Sequence, residues 1–391
     1  MIKNLVFHIG DPKTGSSSIQ KTLQSRAWSC DSVSVAPQKE LNASALANSL
    51  NPQRNPKIYE KAFTKKAQWA AENDADLGII SAEFFAAVKP EALVAALQEY
   101  LPAYADSARV VAYVRPHASR FVSSYAQRVK TGTFTGGFKA FIEDRGNLKI
   151  FNYHKRFSKW HKVFGDRFVL RPFVREELRD QDVTADFLHV ALRGAAFSLT
   201  PIKAANEAMT LEETAGMRVV QAVLVERKVP DYLRLSIGGA MGRELAGIPG
   251  RSRNKLALNR KNAQTILTSY LEDARRMDAE FFDGTPMEQA LVDTLNKAKR
   301  SVLPVRTGAY FKQKSIQQMQ GLAGELAGLV NDKPHAWRRD YRLGTGQLLH
   351  EDVAPLDEGQ QENAAAVWAI LRQISQILAR GNADRDDGQK A

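Results

Sequence analysis

The sequence predicts an α/β fold, in which a parallel sheet flanked by helices is followed by a mostly helical C-terminal half. Two observations support this prediction. Four short apolar segments alternate with amphipathic helical patterns in the first 180 residues, and strands that alternate with helices at this spacing form parallel sheets covered on both faces. Beyond residue 180 the strand signals end and helical periodicity dominates.

Each element can be placed from its pattern. The predicted strands are Lys3–Ile9, Asp76–Ser81, Arg109–Val114 and Arg167–Phe173. The helices predicted between them are Ser16–Arg26, Ile58–Glu72, Pro90–Leu101, Pro116–Lys130 and Asn152–Val163. The later helices are Thr184–Leu192, Leu211–Arg227, Arg260–Glu280, Met287–Arg300, Ser315–Val330 and Gln361–Arg380. The polar segments 36–56 and 131–138 are predicted to be loops.

Composition limits the classes of protein to consider. Apolar and charged residues make up 44% and 25% of the 391 residues, as in an ordinary globular protein. No run of eighteen apolar residues occurs, which predicts no membrane span, and the short N-terminal apolar stretch is not typical of a signal peptide. The single cysteine, Cys30, excludes an internal disulfide and a cysteine-based metal cluster. We therefore expect a cytoplasmic location.

The formal net charge of +12 raises the question of nucleic-acid binding. Lysines and arginines are scattered along the chain, and acidic residues interrupt most basic stretches. The densest group of cations also lacks interleaved aromatic residues; it consists of Arg251, Arg253, Lys255, Arg260 and Lys261. We therefore predict no nucleic-acid partner and interpret the charge as a field that attracts an anionic ligand.

The most informative segment, FHIGDPKTGSSSIQ, follows the first strand and continues into a helix. Gly10 and Gly15 have the spacing of the G-x-x-x-x-G phosphate-binding loop, which predicts a P-loop-like sheet. An ATP-binding loop has Lys and then Ser or Thr after the second glycine, whereas here three serines follow and the lysine is Lys13. The segment offers backbone N–H groups, hydroxyls and one cation to a di-anionic group, and it argues against ATP hydrolysis.

A second motif follows the third predicted strand, which ends at Arg115-Pro116 before an amphipathic helix. Ser123 lies eight residues after Arg115, about two helical turns along. This pair resembles the 3′-phosphate site of the sulfotransferases that use 3′-phosphoadenosine 5′-phosphosulfate (PAPS), and PKTGSSS resembles their 5′-phosphosulfate site. FVLRPFVREEL, DVTADFL, Asn206-Glu207 and YLEDARRMDAEFF are similar to the bacterial glycan-type branch. The resemblance covers about residues 1–300.

The resemblance implies a role for each residue of these motifs. The donor-binding residues that it implies are Lys13, Thr14, Gly15, Ser16, Ser17, Ser18, Arg115 and Ser123. Lys13 would also be catalytic, because it would neutralise the charge that develops on the leaving phosphate oxygen. Glu83, in the S-x-E pattern after the second strand, would remove the proton from the acceptor hydroxyl, as a glutamate does in glycan sulfotransferases.

Histidine is the alternative base, as in the sulfotransferases that act on small molecules. His8 lies in the first predicted strand, where a buried structural role is the competing interpretation. His117 opens the helix after Arg115-Pro116, which the resemblance places near the donor. The sequence leaves the choice between Glu83 and a histidine open. It contains no metal-binding motif, so we predict no metal.

The predicted function is therefore transfer of a sulfuryl group from PAPS, in line, to a hydroxyl acceptor that the resemblance suggests is a glycan or polysaccharide. Two alternatives stay open: a nucleotide or small-molecule kinase with a degenerate loop, and a non-catalytic sulfotransferase-like binding protein. We predict a sulfotransferase domain over residues 1–300, with an α/β core over 1–180 and a helical part over 181–300. Residues 301–391 are predicted to form a helical extension with a frayed tail. The acceptor pocket and the oligomeric state are not predicted.

Overall fold

The computed structural model describes residues 1–37, 40–53, 55–144, 146, 150–202, 209–250, 254–345 and 354–381. The chain divides into two compact units. Unit 1 contains residues 1–120, 145–205 and 263–298, and unit 2 contains residues 121–144, 206–262 and 299–391. The segments of the two units alternate along the chain, and the domain boundaries predicted at residues 180 and 300 stay predictions.

Unit 1 is built on a four-stranded parallel sheet, and all four strands lie where the sequence predicts them. They are β1 (Asn4–His8), β3 (Leu77–Ser81), β4 (Arg109–Val114) and β5 (Phe168–Pro172), in the order β3–β1–β4–β5. β3 is buried along its whole length and β4 at all but its first residue, which explains their continuous apolar sequences. A short antiparallel pair joins β2 (Trp28–Ser29) to β6 (Ser198–Leu199).

Helices account for most of the remaining described residues. In chain order they are α1 (Ser16–Ser25), α2 (Ser44–Ser49), α3 (Pro56–Glu72), α4 (Pro90–Tyr100), α5 (His117–Lys130), α6 (Phe138–Glu143), α7 (Tyr153–Phe164), α8 (Val183–Ala191), α9 (Leu211–Glu226), α10 (Asp231–Ala246), α11 (Arg260–Phe281), α12 (Pro286–Lys297), α13 (Gln313–Asp332), α14 (Ala336–Leu343) and α15 (Glu358–Ala379).

Both faces of the sheet are covered, as the alternation of strands and helices predicts. On one face, Val6 of β1 shares a buried core with Ile19 of α1 and Phe187 of α8. On the other face, the ring centroid of Phe168 in β5 lies 6.3 Å from that of Trp160 in α7. Burial of these apolar side chains is the main favourable contribution to the stability of unit 1.

The described part of unit 2 is helical, as predicted for the C-terminal half. α15 packs against α10, α13 and α14, and α9 packs against α13. α15 begins with a capping box, in which the Asp357 carboxylate accepts from the Gln360 N–H at 2.8 Å and the Gln360 amide oxygen accepts from the Asp357 N–H at 3.2 Å. This cap satisfies donors that the first turn of a helix leaves without partners.

The structure differs from the sequence prediction in several elements, and each difference has a physical cause. The segment 36–56 is not wholly a loop, because it contains α2 and because α3 begins at Pro56. The sequence does not predict α10, whose glycines weaken its helical pattern; Gly238 is required there because a Cβ would collide with the Lys130 carbonyl oxygen. α14, with eight residues, is too short for a clear periodic signal. The two-residue β6 lies beyond residue 180, where no strand is predicted.

The segment 131–138 is a loop as predicted, up to Phe138, where α6 begins. Three features of the sequence lie outside the described residues. They are Asn206-Glu207, the cations Arg251 and Arg253, and the predicted frayed tail 383–391.

Candidate functional site

The carboxyl ends of the parallel strands bring three of the predicted segments to one edge of the sheet. The connection after β1 leads towards β3, whereas the connection after β4 leads towards β5, so the two run in opposite directions. In open parallel sheets, ligands bind outside the carboxyl ends at such a switch point. The loop after β1 and Arg115 after β4 flank this point, and Glu83 follows the adjacent β3.

The loop after β1 has an unusual backbone conformation. Gly10 and Gly15 have φ angles of 90° and 81°, and Lys13 has a φ of 71°. A positive φ is strained for a residue with a side chain, so the packing around Lys13 must hold it there. A Cβ at Gly10 would lie 3.0 Å from the Cα of Glu83, which means that glycine permits the loop to approach the exit of β3.

α1 begins directly after this loop without a side-chain cap. Its N-cap is Gly15, which has no side chain to accept from the first-turn N–H groups. The side chain of Ser16 is buried, whereas Ser17 and Ser18 are exposed. The Ser18 N–H donates to the Gly15 carbonyl at 2.9 Å. First-turn N–H groups without a side-chain cap and the positive end of the helix dipole favour an anion at this position. The predicted loop residues therefore form a helix N-terminus of the kind that binds phosphate groups.

Arg115 joins the two segments that resemble the 3′-phosphate and 5′-phosphosulfate sites. Its Nη1 donates to the carbonyl oxygen of Lys13 at 3.1 Å, and its Nε donates to Ser119 Oγ at 3.2 Å. The guanidinium carbon lies 5.5 Å from the centroid of the Phe173 ring. Burial, with a smaller contribution from the neighbouring Arg120, lowers the pKa of Arg115.

Ser123, the predicted partner of Arg115, is half-buried on α5. It lies in the part of that helix that belongs to unit 2, whereas Arg115 belongs to unit 1. Its role at a 3′-phosphate stays a prediction.

Glu83 occupies the first position of a 3₁₀ turn, Glu83–Ala87, directly after β3. Burial raises the pKa of its carboxyl group, Lys13 and Arg120 oppose the rise, and Asp11 adds to it. A raised pKa brings a carboxylate closer to the range in which it accepts a proton efficiently near neutral pH. Glu83 therefore combines partial burial, nearby cations and a position at the sheet edge, which together suit a general base.

A buried ion-pair network fixes the loop, and two of its members are absent from the sequence prediction. Asp11 is 1% exposed and accepts from Nη1 and Nη2 of Arg156 at 2.6 and 3.1 Å. Arg120 lies 3.5 Å from the same carboxylate, and the Thr14 hydroxyl donates to the Asp11 carbonyl at 2.5 Å. Asp11 and Arg156 are 145 positions apart in the sequence, which explains why no local pattern reveals the pair.

Arg120 also belongs to this ion-pair network. Its side chain is 5% exposed and lies in contact with Asp11. The site in unit 1 thus contains four cationic side chains and two carboxylates: Lys13, Arg115, Arg120, Arg156, Asp11 and Glu83. This excess of positive charge suits a ligand with at least two negative charges.

Replacing Asp11 with Asn is expected to destabilise the protein by about 3–5 kcal/mol. The substitution leaves the Arg156 guanidinium without its bidentate carboxylate and the buried Arg120 without its ion-pair partner Asp11. Removing one partner of a buried ion pair has a cost of this size. Urea denaturation measures the change. Asp293→Asn is the matched control, because its ion pair with Lys297 is exposed and its loss should have no measurable effect. Equal effects of the two substitutions would contradict the buried network.

The two histidines considered as bases lie in packed surroundings. His8 is fully buried with its Nδ1 2.8 Å from Ser81 Oγ, and burial lowers its pKa to about 3. His117 is also fully buried, and its Nε2 lies 3.1 Å from the Phe151 carbonyl oxygen and 3.0 Å from Asp273 Oδ2. These contacts indicate structural roles and favour Glu83 as the base.

Unit 2 contains a separate cavity of about 450 Å³. Aromatic and charged side chains line it, and the Trp368 Nε1 donates to Asp340 Oδ2 at 2.6 Å. The lining residues are Arg243, Glu244, Asp340, Tyr341, Leu343, Gly344 and Trp368. None of them belongs to the motifs at the sheet edge of unit 1.

Among the described residues, no group of three or more His, Cys, Asp or Glu side chains is placed to hold a metal ion. None of the helices that the structure describes is long and apolar enough to cross a lipid bilayer.

The chain was compared with protein families, curated proteins and solved structures. No family model, no curated protein and no solved structure matches it.

Proposed function

We propose that the protein is a PAPS-dependent sulfotransferase with a P-loop-like fold, and that its donor binds at the carboxyl ends of β1, β3 and β4. The observation that carries this proposal is the 3.1 Å hydrogen bond from Arg115 to the Lys13 carbonyl. It brings together the two segments that resemble the 3′-phosphate and 5′-phosphosulfate sites, although 102 residues separate them in sequence. A ligand with phosphate groups at two positions would contact both segments at once.

The parallel sheet supports the P-loop-like assignment. β1 lies between β3 and β4, and the glycine loop that follows it leads into α1. Positive φ angles at Gly10, Lys13 and Gly15 turn the chain sharply, so that backbone N–H groups at the start of α1 can face an anion. The absence of a lysine directly after Gly15 is the departure from an ATP-binding loop.

Sulfuryl transfer requires little covalent chemistry from the protein, and the site residues suit what it does require. The acceptor oxygen attacks sulfur while the bond from sulfur to the 5′-phosphate oxygen breaks, and 3′-phosphoadenosine 5′-phosphate leaves. Lys13 and the N-terminus of α1 stabilise the negative charge on the leaving oxygen. Glu83 takes the proton of the acceptor hydroxyl as the new S–O bond forms.

The acceptor class follows from the resemblance alone. The S-x-E pattern that ends at Glu83 is similar to that of glycan-type enzymes, so we propose a carbohydrate hydroxyl as acceptor. The full burial of His8 and His117 favours Glu83 as the base and does not bear on the acceptor.

Arg115→Ala tests the donor site. We expect it to weaken binding of 3′-phosphoadenosine 5′-phosphate about 10- to 100-fold, the range for a lost hydrogen bond to a charged group. Binding of adenosine 5′-phosphate, which lacks the 3′-phosphate, should weaken much less. Calorimetric titration with both nucleotides gives the comparison.

The matched control for this experiment is Arg167→Ala. Arg167 also donates to a backbone carbonyl, that of Ala105 at 3.0 Å, but it precedes β5 at the opposite edge of the sheet. It should leave both affinities unchanged. Equal losses for the two nucleotides in Arg115→Ala would show that Arg115 supports the loop without binding the 3′-phosphate.

A further inference from the structure

Tyr153 carries a buried hydroxyl group that neither the sequence motifs nor the proposed mechanism uses. It is the first residue of α7, and its side chain is fully buried. Its ring centroid lies 4.3 Å from that of His117 and 5.5 Å from the guanidinium carbon of Arg156. The hydroxyl has no hydrogen-bond partner among the residues that the structure describes.

Other buried tyrosines of unit 1 show that this is unusual. The Tyr104 hydroxyl donates to the Ile2 carbonyl at 2.6 Å, and the Tyr113 hydroxyl donates to Asp186 Oδ2 at 2.8 Å. Buried polar groups are nearly always paired, because a buried hydroxyl without a partner has lost its hydrogen bonds to water. A buried group without a partner in the free protein is therefore a candidate for contact with a ligand.

The surroundings of the hydroxyl indicate what that ligand group would be. Three arginines and two carboxylates lie close enough to interact electrostatically with Tyr153; they are Arg115, Arg120, Arg156, Asp11 and Asp273. A second donor is placed similarly: Nε of Arg156, one helical turn along α7, is also buried without a partner among the described residues. Two donors beside an excess of positive charge suit an acceptor oxygen with negative charge.

We propose that the Tyr153 hydroxyl donates a hydrogen bond to a phosphate oxygen of the bound nucleotide, next to Arg115 and Arg120. This inference rests on the proposed function for the identity of the ligand. It makes Tyr153 a binding residue of the donor site and assigns α7 to that site, in addition to the loop after β1 and the segment after β4.

Tyr153→Phe tests the inference through two readouts. Calorimetric titration with 3′-phosphoadenosine 5′-phosphate should show an affinity about 10- to 100-fold below wild type, because a hydrogen bond to a charged group is lost. The thermal midpoint of the free protein should stay the same or rise, because the substitution removes a buried polar group that has no partner. If the hydroxyl had only a structural role, Tyr153→Phe would leave the nucleotide affinity unchanged and lower the thermal midpoint.

Tyr104→Phe is the matched control, because it removes an equally buried hydroxyl that is hydrogen-bonded near the amino end of β1. It should lower the thermal midpoint and leave the affinity for the nucleotide unchanged. Titration with adenosine 5′-phosphate identifies the contact: a loss in Tyr153→Phe that is confined to the bisphosphate indicates the 3′-phosphate, and an equal loss indicates the 5′-phosphate.

Two results would overturn the inference. Unchanged nucleotide affinity in Tyr153→Phe, with normal binding by the wild type, would show that the hydroxyl does not contact the ligand and would leave the proposed function intact. A fall in thermal midpoint as large as that of Tyr104→Phe would show that the hydroxyl is already paired in the free protein. Failure of the wild type itself to bind the nucleotide is a different outcome, which contradicts the proposed function together with the inference.

Discussion

Glu83→Gln is expected to lower turnover by about 10²–10⁴, the range for loss of a general base. The substitution keeps the size and most hydrogen-bonding capacity of the side chain but removes its ability to accept a proton. Affinity for 3′-phosphoadenosine 5′-phosphate should stay near that of the wild type, because Glu83 acts on the acceptor. Steady-state turnover and calorimetric titration of the same preparation separate the two effects.

The pH dependence gives a second readout for Glu83. Burial raises its pKa, so the wild type should lose turnover as the pH falls through that raised value, and Glu83→Gln should lose this acidic limb. The contribution of Glu83 to stability should have the opposite pH dependence, because it falls as the pH rises. The folded state binds the Glu83 proton more tightly than the unfolded chain, so Glu83 lowers stability as the pH rises from the ordinary glutamate pKa to the raised one. Glu83→Gln should therefore be at least as stable as the wild type at neutral pH.

Asp76→Asn is the matched control for the Glu83 experiment, because Asp76 precedes β3 at the opposite edge of the sheet from Glu83. Its turnover should match that of the wild type. A larger loss of turnover for His8→Gln or His117→Gln than for Glu83→Gln would assign the base to a histidine instead.

Lys13→Ala is expected to lower turnover by about 10²–10³, the cost of losing one group that stabilises charge in a transition state. A φ of 71° is as unfavourable for alanine as for lysine, so the substitution should change the loop conformation little. Its main effect should be the loss of the ammonium group. Lys13→Arg, which keeps the positive charge, should retain more activity than Lys13→Ala.

The control for Lys13 is Lys3→Ala, which removes a lysine that pairs with Asp76 at 2.8 Å before the amino end of β1. It should leave turnover unchanged. Near-normal turnover in Lys13→Ala would exclude Lys13 from the transition state and leave the backbone N–H groups of α1 as the main stabilisation of the leaving phosphate.

Local pattern was sufficient to predict the sheet. β4 is a nearly continuous apolar run before Arg115-Pro116, and β1 is a short apolar run that only His8 interrupts before Gly10. The predicted boundaries of both strands agree with the structure within one or two residues. The two predicted segments at the switch point could also be anticipated, because the carboxyl ends of parallel strands always lie at one edge. The approximate position of the candidate site could therefore be predicted from the sequence.

The contacts that complete the site could not be predicted, because they join residues that are distant in sequence. Asp11 is an ordinary loop residue until Arg156 reaches it from α7, and Tyr153 is an ordinary helix residue until its hydroxyl is found buried beside three arginines. The sequence does not predict α10 for a related reason. Glycine is required at position 238 because of contact with the Lys130 carbonyl, and Lys130 lies 108 residues earlier. Long-range packing gives these residues roles that no local pattern contains.

Calorimetric titration of the wild-type protein with 3′-phosphoadenosine 5′-phosphate, in the absence of divalent metal, is the decisive measurement for the proposed donor site. ATP with Mg²⁺ is the comparison ligand. The proposed site predicts tight binding of the bisphosphate without metal and little binding of ATP. No binding of the bisphosphate, or a preference for ATP with Mg²⁺, would contradict the sulfotransferase proposal and favour a kinase with a degenerate phosphate-binding loop.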